Sequence, residues 1–459
     1  MDPLNSATKV NKTALCFILL SLICLLGGAL FGCIAALQFV YPDFLRTLPF
    51  FKNRPLHVSL VISWIFLSAT GGIYYYLPII GKGFWQTFKM QKLHLILFIV
   101  TGICILSCYV LGIFGGREYW EYPPVFSICI IITWIIFAFN FFLSITGFKG
   151  KWPVYIWMWA TGVIFFFLTF SESYLWLLPA IRNDPLRDVT IQWKAYGSLV
   201  GSWNMLVYGT GIFLMEKISG NPEVSRSKTA FLLYMLGFIN LMFGWAHHIY
   251  VVPISPWIRN ISYVVSMSEW ILLFRMIYSW RKTVTKAQEH LWSFSFRFLL
   301  TSDIWIFLNI ILALLISIPA INAYTHGTHI TVAHAMGSTI GINTMILLAS
   351  CFFIANDASN GRAKTGQDKL QLWGWAILNL SLLFFWIMLI IAGLRKGLMV
   401  VQGISFSEIM IAITPYLKLF AFSGLGIFTG LSLLITPLSI KLCKTILSSR
   451  NSIIKTTIS

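Results

Sequence analysis

Thr13–Val40 reads TALCFILLSLICLLGGALFGCIAALQFV, a run without one charged side chain. About 20 mainly apolar residues suffice to cross the hydrocarbon core of a bilayer, so this stretch is long enough for a membrane helix. Working outward, comparable runs recur at 56–81, 93–114, 124–148, 153–180, 191–215, 230–252, 258–279, 294–318, 329–355, 372–394 and 416–440. With 13–40 they predict an all-α, polytopic membrane bundle of about twelve transmembrane helices. The connections are short, so residues 1–459 are expected to form a single transmembrane domain without a soluble appendage or an internal repeat. The polar segment Met1–Lys12 enters the first run with no small-residue cleavage site, so that run is expected to remain as the first membrane helix.

Composition agrees. The chain is 58% hydrophobic and only 10% charged, against roughly 25% charged residues in a soluble domain. Too few charges remain to cover a surface of this size in water, which leaves lipid as the solvent. The net charge of +18 does not signal nucleic-acid binding, because the basic residues sit in short connections rather than in one patch with interleaved aromatics. Placing the N-terminus in the cytoplasm puts about twice as many Lys and Arg on the inner side as on the outer. Both termini are therefore expected to be cytoplasmic.

The eight cysteines (Cys16, Cys24, Cys33, Cys104, Cys108, Cys129, Cys351 and Cys443) lie within or beside apolar runs, without a CxxC pair. They read as small buried side chains. No CxxCH is present, so any haem is held non-covalently.

Histidine is scarce but clustered. Of eight, six fall toward the outer side: His57 opens the second run, His247 and His248 close the seventh, and His326, His329 and His334 begin the tenth. Only His94 and His290 fall toward the inner face. A single such residue reads as an interfacial imidazole bonded to water or a carbonyl. Six from three helices at one depth read as a shared metal or haem centre, since neutral imidazole is the commonest protein ligand for iron, copper and zinc. Positions two apart on a helix point about 200° apart, so His334 and Met336 can serve two centres on opposite sides of one helix. Met with His is an accepted haem pair, although Met336 from spacing alone reads as a core side chain.

Three segments carry a family resemblance: Ala246-His247-His248-Ile249-Tyr250, the stretch Tyr324-Thr325-His326-Gly327-Thr328-His329 continuing to His334, and Leu56-His57 running through Trp64 to Tyr75-Tyr76-Leu77-Pro78. Together they resemble the catalytic subunit of bacterial nitric oxide reductases, within the haem–copper oxidase superfamily, over most of the chain. The resemblance implies a subunit I-like fold in the bacterial cytoplasmic membrane and two haem b groups with a non-haem iron. By it, His57 is an axial ligand of a low-spin haem and His334 the proximal ligand of a high-spin haem. His247 and His248 are ligands of the iron facing that haem. Glu269 is a carboxylate beside the two-iron centre, and His326 lies near the haem propionates. The implied reaction reduces nitric oxide to nitrous oxide, with electrons entering through the low-spin haem from a haem c-containing partner subunit or another donor, and with protons from the outer side.

The chain departs from the family pattern at four positions. The third iron-binding histidine is replaced by Tyr196, two glutamates of the same helix by Val200 and Asn204, and the second low-spin haem histidine by Met336. Tyrosinate can ligate ferric iron, so Tyr196 is expected either to replace the imidazole or to pack as an aromatic. A His57/Met336 pair raises the haem potential relative to two histidines. Glu172 and Asp303 are further carboxylates within runs, with Asp303 expected to bond to a neighbouring helix. Lys194, Arg182 and Arg187 lie where propionates would sit.

Four functional readings follow. The first is nitric oxide reduction. The second is oxygen reduction or nitric oxide dismutation, which calls for a redox-active tyrosine such as Tyr250 or Tyr196. The third is a haem-binding membrane protein with impaired chemistry, and the last a twelve-span transporter, against which stands the lack of paired Gly/Pro-broken helices.

Overall fold

A computed structural model describes residues 11–80, 88–148, 150–250, 252–253, 255–359 and 369–457, the side chains of 269, 270, 287 and 449–457 apart. Among the described residues, twelve helices are long and apolar enough to cross a membrane. They are α1 (Lys12–Val40), α2 (Phe50–Ile80), α3 (Phe88–Leu111), α4 (Val125–Ile145), α5 (Val154–Glu172), α6 (Pro185–Ser219), α7 (Lys228–Phe243), α8 (Pro256–Thr283), α9 (Ser293–Ser317), α10 (His329–Ala358), α11 (Lys369–Val401) and α12 (Phe406–Thr457). Every expected run is one of these helices. The largest difference is α12, 52 residues long, which at 1.5 Å per residue outreaches a ~30 Å hydrocarbon core.

Local signals start several helices where they do. Asn11 caps α1 by accepting from the Ala14 amide at 3.1 Å. Asp184 caps α6 by accepting from the amides of Leu186 and Arg187, with Pro185 in the first turn where no intrahelical N–H is needed. Thr328 caps α10 by accepting from the Ile330 amide at 3.2 Å.

In lipid, helices associate through close packing rather than by hiding from water, which favours small residues at contacts. Gly28 and Gly32 of α1 form such a contact with α2: a Cβ on Gly28 would stand 2.9 Å from a Val61 methyl. Gly426 and Gly430 do the same for α12 against α11. α10 is the axis of the bundle, with 83% of its apolar window buried, against 22% for α3 and 25% for α8. It packs on α2, α6, α9 and α11.

Polar bonds fix α2 against α10. Trp64 Nε1 donates to Thr344 Oγ1 at 3.2 Å, Ser68 meets Cys351 Sγ at 3.5 Å, and Tyr75 Oη donates to Asp357 at 2.7 Å. The partners rise together in number along both helices, so the two run parallel. One stretch of α10, Gly337–Thr344, is wound as a π-helix, and Thr344 Oγ1 donates to the Thr339 carbonyl five residues back.

Candidate haem and metal centre

The histidines of four helices and loops lie toward one end of the bundle, the end at which α2 and α10 begin. His57 sits there in α2. Its Nδ1 lies 2.7 Å from the Gly28 carbonyl of α1, and the ring fills the space where a Cβ on Gly32 would come within 2.7 Å of it. An imidazole tied to a carbonyl through Nδ1–H carries its lone pair on Nε2, the tautomer a metal-ligating histidine uses.

Met336 lies at the same level. His57 is seven residues before Trp64 and Met336 eight before Thr344, so each stands roughly 11 Å along its helix from the Trp64–Thr344 bond at 1.5 Å per residue. Met336 packs on the main core and does not line the cavity that His334 lines.

A cavity of about 310 Å³ runs between α6, α7, α8, α9 and α10, and His247, His248 and His334 all line it. His247 and His248 follow α7 in a 3-10 segment, Gly244–Ile249, with ring centroids 4.1 Å apart. This tight segment sits close on α6, because a Cβ on Gly197 would stand 2.5 Å from that of Trp245. Trp193 of α6 stacks on His248 at 5.9 Å, and Ser266 of α8 reaches His247 Nδ1 at 3.5 Å, a long contact. His334 is within electrostatic range of both rings, and His326 of His248. The Nδ1 of His334 is buried without a protein hydrogen-bond partner.

Among the described residues no group of three or more His, Cys, Asp or Glu is spaced to hold a metal ion. Tyr196, expected either to replace the third imidazole or to pack as an aromatic, is not among the residues that line the cavity. The face of α6 toward the cavity carries Gly197, Val200, Gly201, Asn204 and Tyr208, and residue 196 is turned about 100° from position 197. Its ring instead meets Tyr119 at 5.5 Å, within range of Tyr174, Arg117 and Glu121. Residue 269 lies in α8, but the side chain of Glu269 lies outside the described residues.

Several sequence expectations change. Glu172 and Lys194 form an ion pair, and Arg187 pairs with Asp184 at 3.1 Å. These two bases are engaged by protein carboxylates. Among the described residues Asp303 bonds to no neighbouring helix: both its oxygens are buried without a partner there, and the residue lines the cavity. The Gly28 carbonyl and Ser266 escape sequence reading, because neither type is distinctive. The Gly28/Gly32 spacing is readable as a helix contact, though not as a histidine cradle.

Near the same end, the connection between α3 and α4 closes over α2. Arg54 donates to Glu118 at 2.6 Å and to Glu121 at 2.8 Å, and Arg117 donates to Asp188 at 2.6 Å. Burial raises the Glu121 pKa above the ordinary carboxylate value despite the nearby Arg54 charge.

Residues 12–426 match the family described as cytochrome c and quinol oxidase polypeptide I. Among curated proteins, the chain is 23% identical to a nitric oxide reductase subunit of Stutzerimonas stutzeri, covering 86% of each. It is 24% identical to a cytochrome c oxidase subunit 1 homolog of Agrobacterium tumefaciens, over 88% of this chain and 78% of that one. Among solved structures, a cryo-EM structure of a heme-copper terminal oxidase dimer shares the fold at a TM-score of 0.70 and 14% identity, over 95% of this chain and 84% of that one. A match across nearly the whole bundle, from α1 into α12, makes this chain a member of the cytochrome c and quinol oxidase polypeptide I family, an integral membrane oxidoreductase of the haem–copper oxidase superfamily.

Proposed function

We propose that the chain is the catalytic subunit of a nitric oxide reductase. Members of its family generally bind haems and a metal centre and work with further subunits. The reading rests above all on His247, His248 and His334 lining one cavity from different helices. The donors suit a haem on His334, which stands on the cavity wall. His57 and Met336 would hold a second haem, because the Gly28 carbonyl leaves His57 Nε2 for iron. For a non-haem iron the described residues offer two imidazoles, His247 and His248, and Glu269 remains the proposed carboxylate beside them. When bound, haem and iron supply the redox chemistry by which two nitric oxide molecules are joined and reduced.

The chain's own side chains position that chemistry. Trp193 packs on the His248 ring, and Ser266 touches His247 Nδ1, which leaves the opposite ring nitrogen as the one to bind a metal. The π-wound segment after Met336 holds Thr344 for Trp64, fixing α10 in register with α2 and hence Met336 with His57. Electrons are proposed to come from a haem c-containing partner or another donor, since the sequence has no CxxCH. We place the histidine end on the outer side of a bacterial cytoplasmic membrane, with both termini inside.

Nitric oxide rather than oxygen is favoured by the tyrosines. Tyr196 and Tyr250 do not line the cavity. Tyr208 does, but it lies eleven residues beyond Gly197, roughly 16 Å along α6 from the level of Trp245. The test is purified full-length protein assayed with nitric oxide and oxygen electrodes on one sample, alongside metal analysis. Two haems, a third metal and nitric oxide consumption are expected. Oxygen consumption without nitric oxide turnover would transfer the chain to the oxygen-reducing class, and colourless protein would remove the haem reading.

A further inference from the structure

The cavity that holds the histidines does not end with them. It continues between α6, α8 and α9 to Asp303 at mid-depth and, beyond it, to Leu299, Ile277 and Met215 toward the opposite face of the bundle. Depth follows from contacts across α9 and α10. A Cβ on Gly337 would stand 2.5 Å from Asn309 Oδ1, which puts those two residues level. His334 is three residues outward of Gly337 and Asp303 six residues inward of Asn309, so the carboxyl lies roughly 13 Å inward of the His334 level at 1.5 Å per residue.

Asp303 is built unlike a structural carboxylate. It is 4% exposed, both oxygens are buried, and neither has a hydrogen-bond partner among the described residues. A buried carboxyl kept unpaired in a membrane interior is costly, and where it persists it faces a cavity or a proton route. Among the described residues, Arg281, in the last turn of α8, is the charged group within its electrostatic range. No ion pair joins them. The Arg281 guanidinium lies over the Phe296 ring at 5.0 Å, at the end of the bundle away from the histidines. Ser302 and Asn309 flank Asp303 on the cavity wall, and Ser338 lies between it and His334. The cavity wall thus carries polar groups at successive depths from Asp303 toward the imidazoles.

We propose that Asp303 is the proton-loading carboxyl of this enzyme, taking protons from the inner, Arg281 side and passing them along the cavity toward the histidine centre. This rests on the reading of that centre as one that consumes protons. Joining two nitric oxide molecules with two electrons and two protons gives one nitrous oxide and one water. The electrons come from the external one-electron donor, and the protons pass through Asp303, which is left unchanged after each cycle. The family resemblance implies an outer proton source. An inner source makes turnover move charge across the membrane, because electrons and protons then meet from opposite sides.

The test uses the full-length haem-loaded protein in sealed lipid vesicles, with a membrane-impermeant electron donor outside and a pH dye trapped in the lumen. Only molecules with the histidine end outward then turn over, and their inner face looks into the lumen. Nitric oxide should alkalinise the lumen in the parent protein. In Asp303→Asn the uptake should slow by about 10²-fold, in the range of a lost acid–base group. Asp303→Glu should recover part of it, and haem spectra should be unchanged in both variants. An unchanged lumen pH during parent turnover, or parent-like uptake in Asp303→Asn, overturns the proposal. If the parent protein consumes no nitric oxide, the functional reading fails separately, and infrared difference spectra on reduction still decide Asp303. A carboxylic-acid carbonyl band that vanishes in Asp303→Asn and shifts in Asp303→Glu supports a redox-linked proton there. A spectrum identical in all three proteins rejects it.

Discussion

Gly32→Ala is the sharpest probe of whether His57 is a ligand or a packed side chain. The added Cβ would stand 2.7 Å from His57 Nδ1 and 2.8 Å from Cε1, whereas ordinary contact begins at 3.4 Å. The ring must therefore withdraw by about 0.7 Å, the difference between contact and clash. That displacement stretches the 2.7 Å bond to the Gly28 carbonyl to the edge of hydrogen bonding, at a cost of about 0.5–1.5 kcal/mol. Overpacking adds about 1–3 kcal/mol. Alanine in a helix returns about 1 kcal/mol over glycine, so the fold loses little while the ligand geometry loses most. A loss of about 2–4 kcal/mol at the ligand corresponds to roughly 30–1,000-fold weaker haem retention at 1.4 kcal/mol per tenfold. The assay is the haem-to-protein ratio with optical and EPR spectra. The low-spin signal should fall selectively and the high-spin signal persist. Gly102→Ala in α3, where an added Cβ meets nothing within 4 Å, should keep both. A Gly32→Ala protein with an undiminished low-spin signal would refute His57 as its ligand.

Three further outcomes are expected. Met336→His should lower the low-spin haem potential by an appreciable part of the ~0.8 V range that axial ligands command, read by redox titration, whereas Met336→Leu should convert that haem toward high spin. His334→Ala should abolish high-spin haem binding while leaving the low-spin spectrum intact, because on the proposed reading His334 and Met336 hold different haems and only His334 lines the cavity. Glu121, in the connection outside the spans, has a raised pKa through burial. The folded state then holds its proton more tightly than the unfolded chain, so stability is lost as pH rises from the ordinary carboxylate value through the raised one. Thermal unfolding against pH should show this decline, and Glu121→Gln should flatten it.

The bundle is legible in the sequence because lipid leaves few options: uncharged runs long enough to cross it become helices that satisfy their own backbone. That logic locates all the spans but not their ends. α2 begins at Phe50, and α12 extends at both ends beyond its most apolar stretch, since helix continues into the interface where hydropathy no longer signals it. The His247–His248 pair and His334 are legible as ligand types, and their convergence on one cavity follows from the alternating direction of α6, α7 and α10. Which way Tyr196 points is not legible, because matching by position along a helix does not fix a side chain's azimuth, and α6 turns Gly197 rather than Tyr196 toward the cavity. The environment of Asp303 is illegible for a different reason. Whether a buried carboxyl finds a partner depends on which helices surround it, and nothing in Thr301-Ser302-Asp303-Ile304 states that.

The departures on α6 and the carboxyl on α9 bear on one another. Val200 and Asn204 stand where the family resemblance expects glutamates, and both line the cavity. Asn204 is occupied by the Asn343 amide, which donates to it at 3.0 Å, so the α6 wall holds α10 in place and offers no acid. Asp303 stands on the α9 wall of that cavity, at about the depth of Asn204 and without a hydrogen-bond partner among the described residues. On the proposed reading, the carboxylate function has moved from one wall of the cavity to the other, and the side that supplies protons has moved with it. Restoring an acid to α6 with Val200→Glu should then rescue part of the activity lost in Asp303→Asn, but draw its protons from the outer side. Rescue with lumen uptake unchanged from the parent would mean that the proton route does not depend on where the carboxyl stands, and would break the argument.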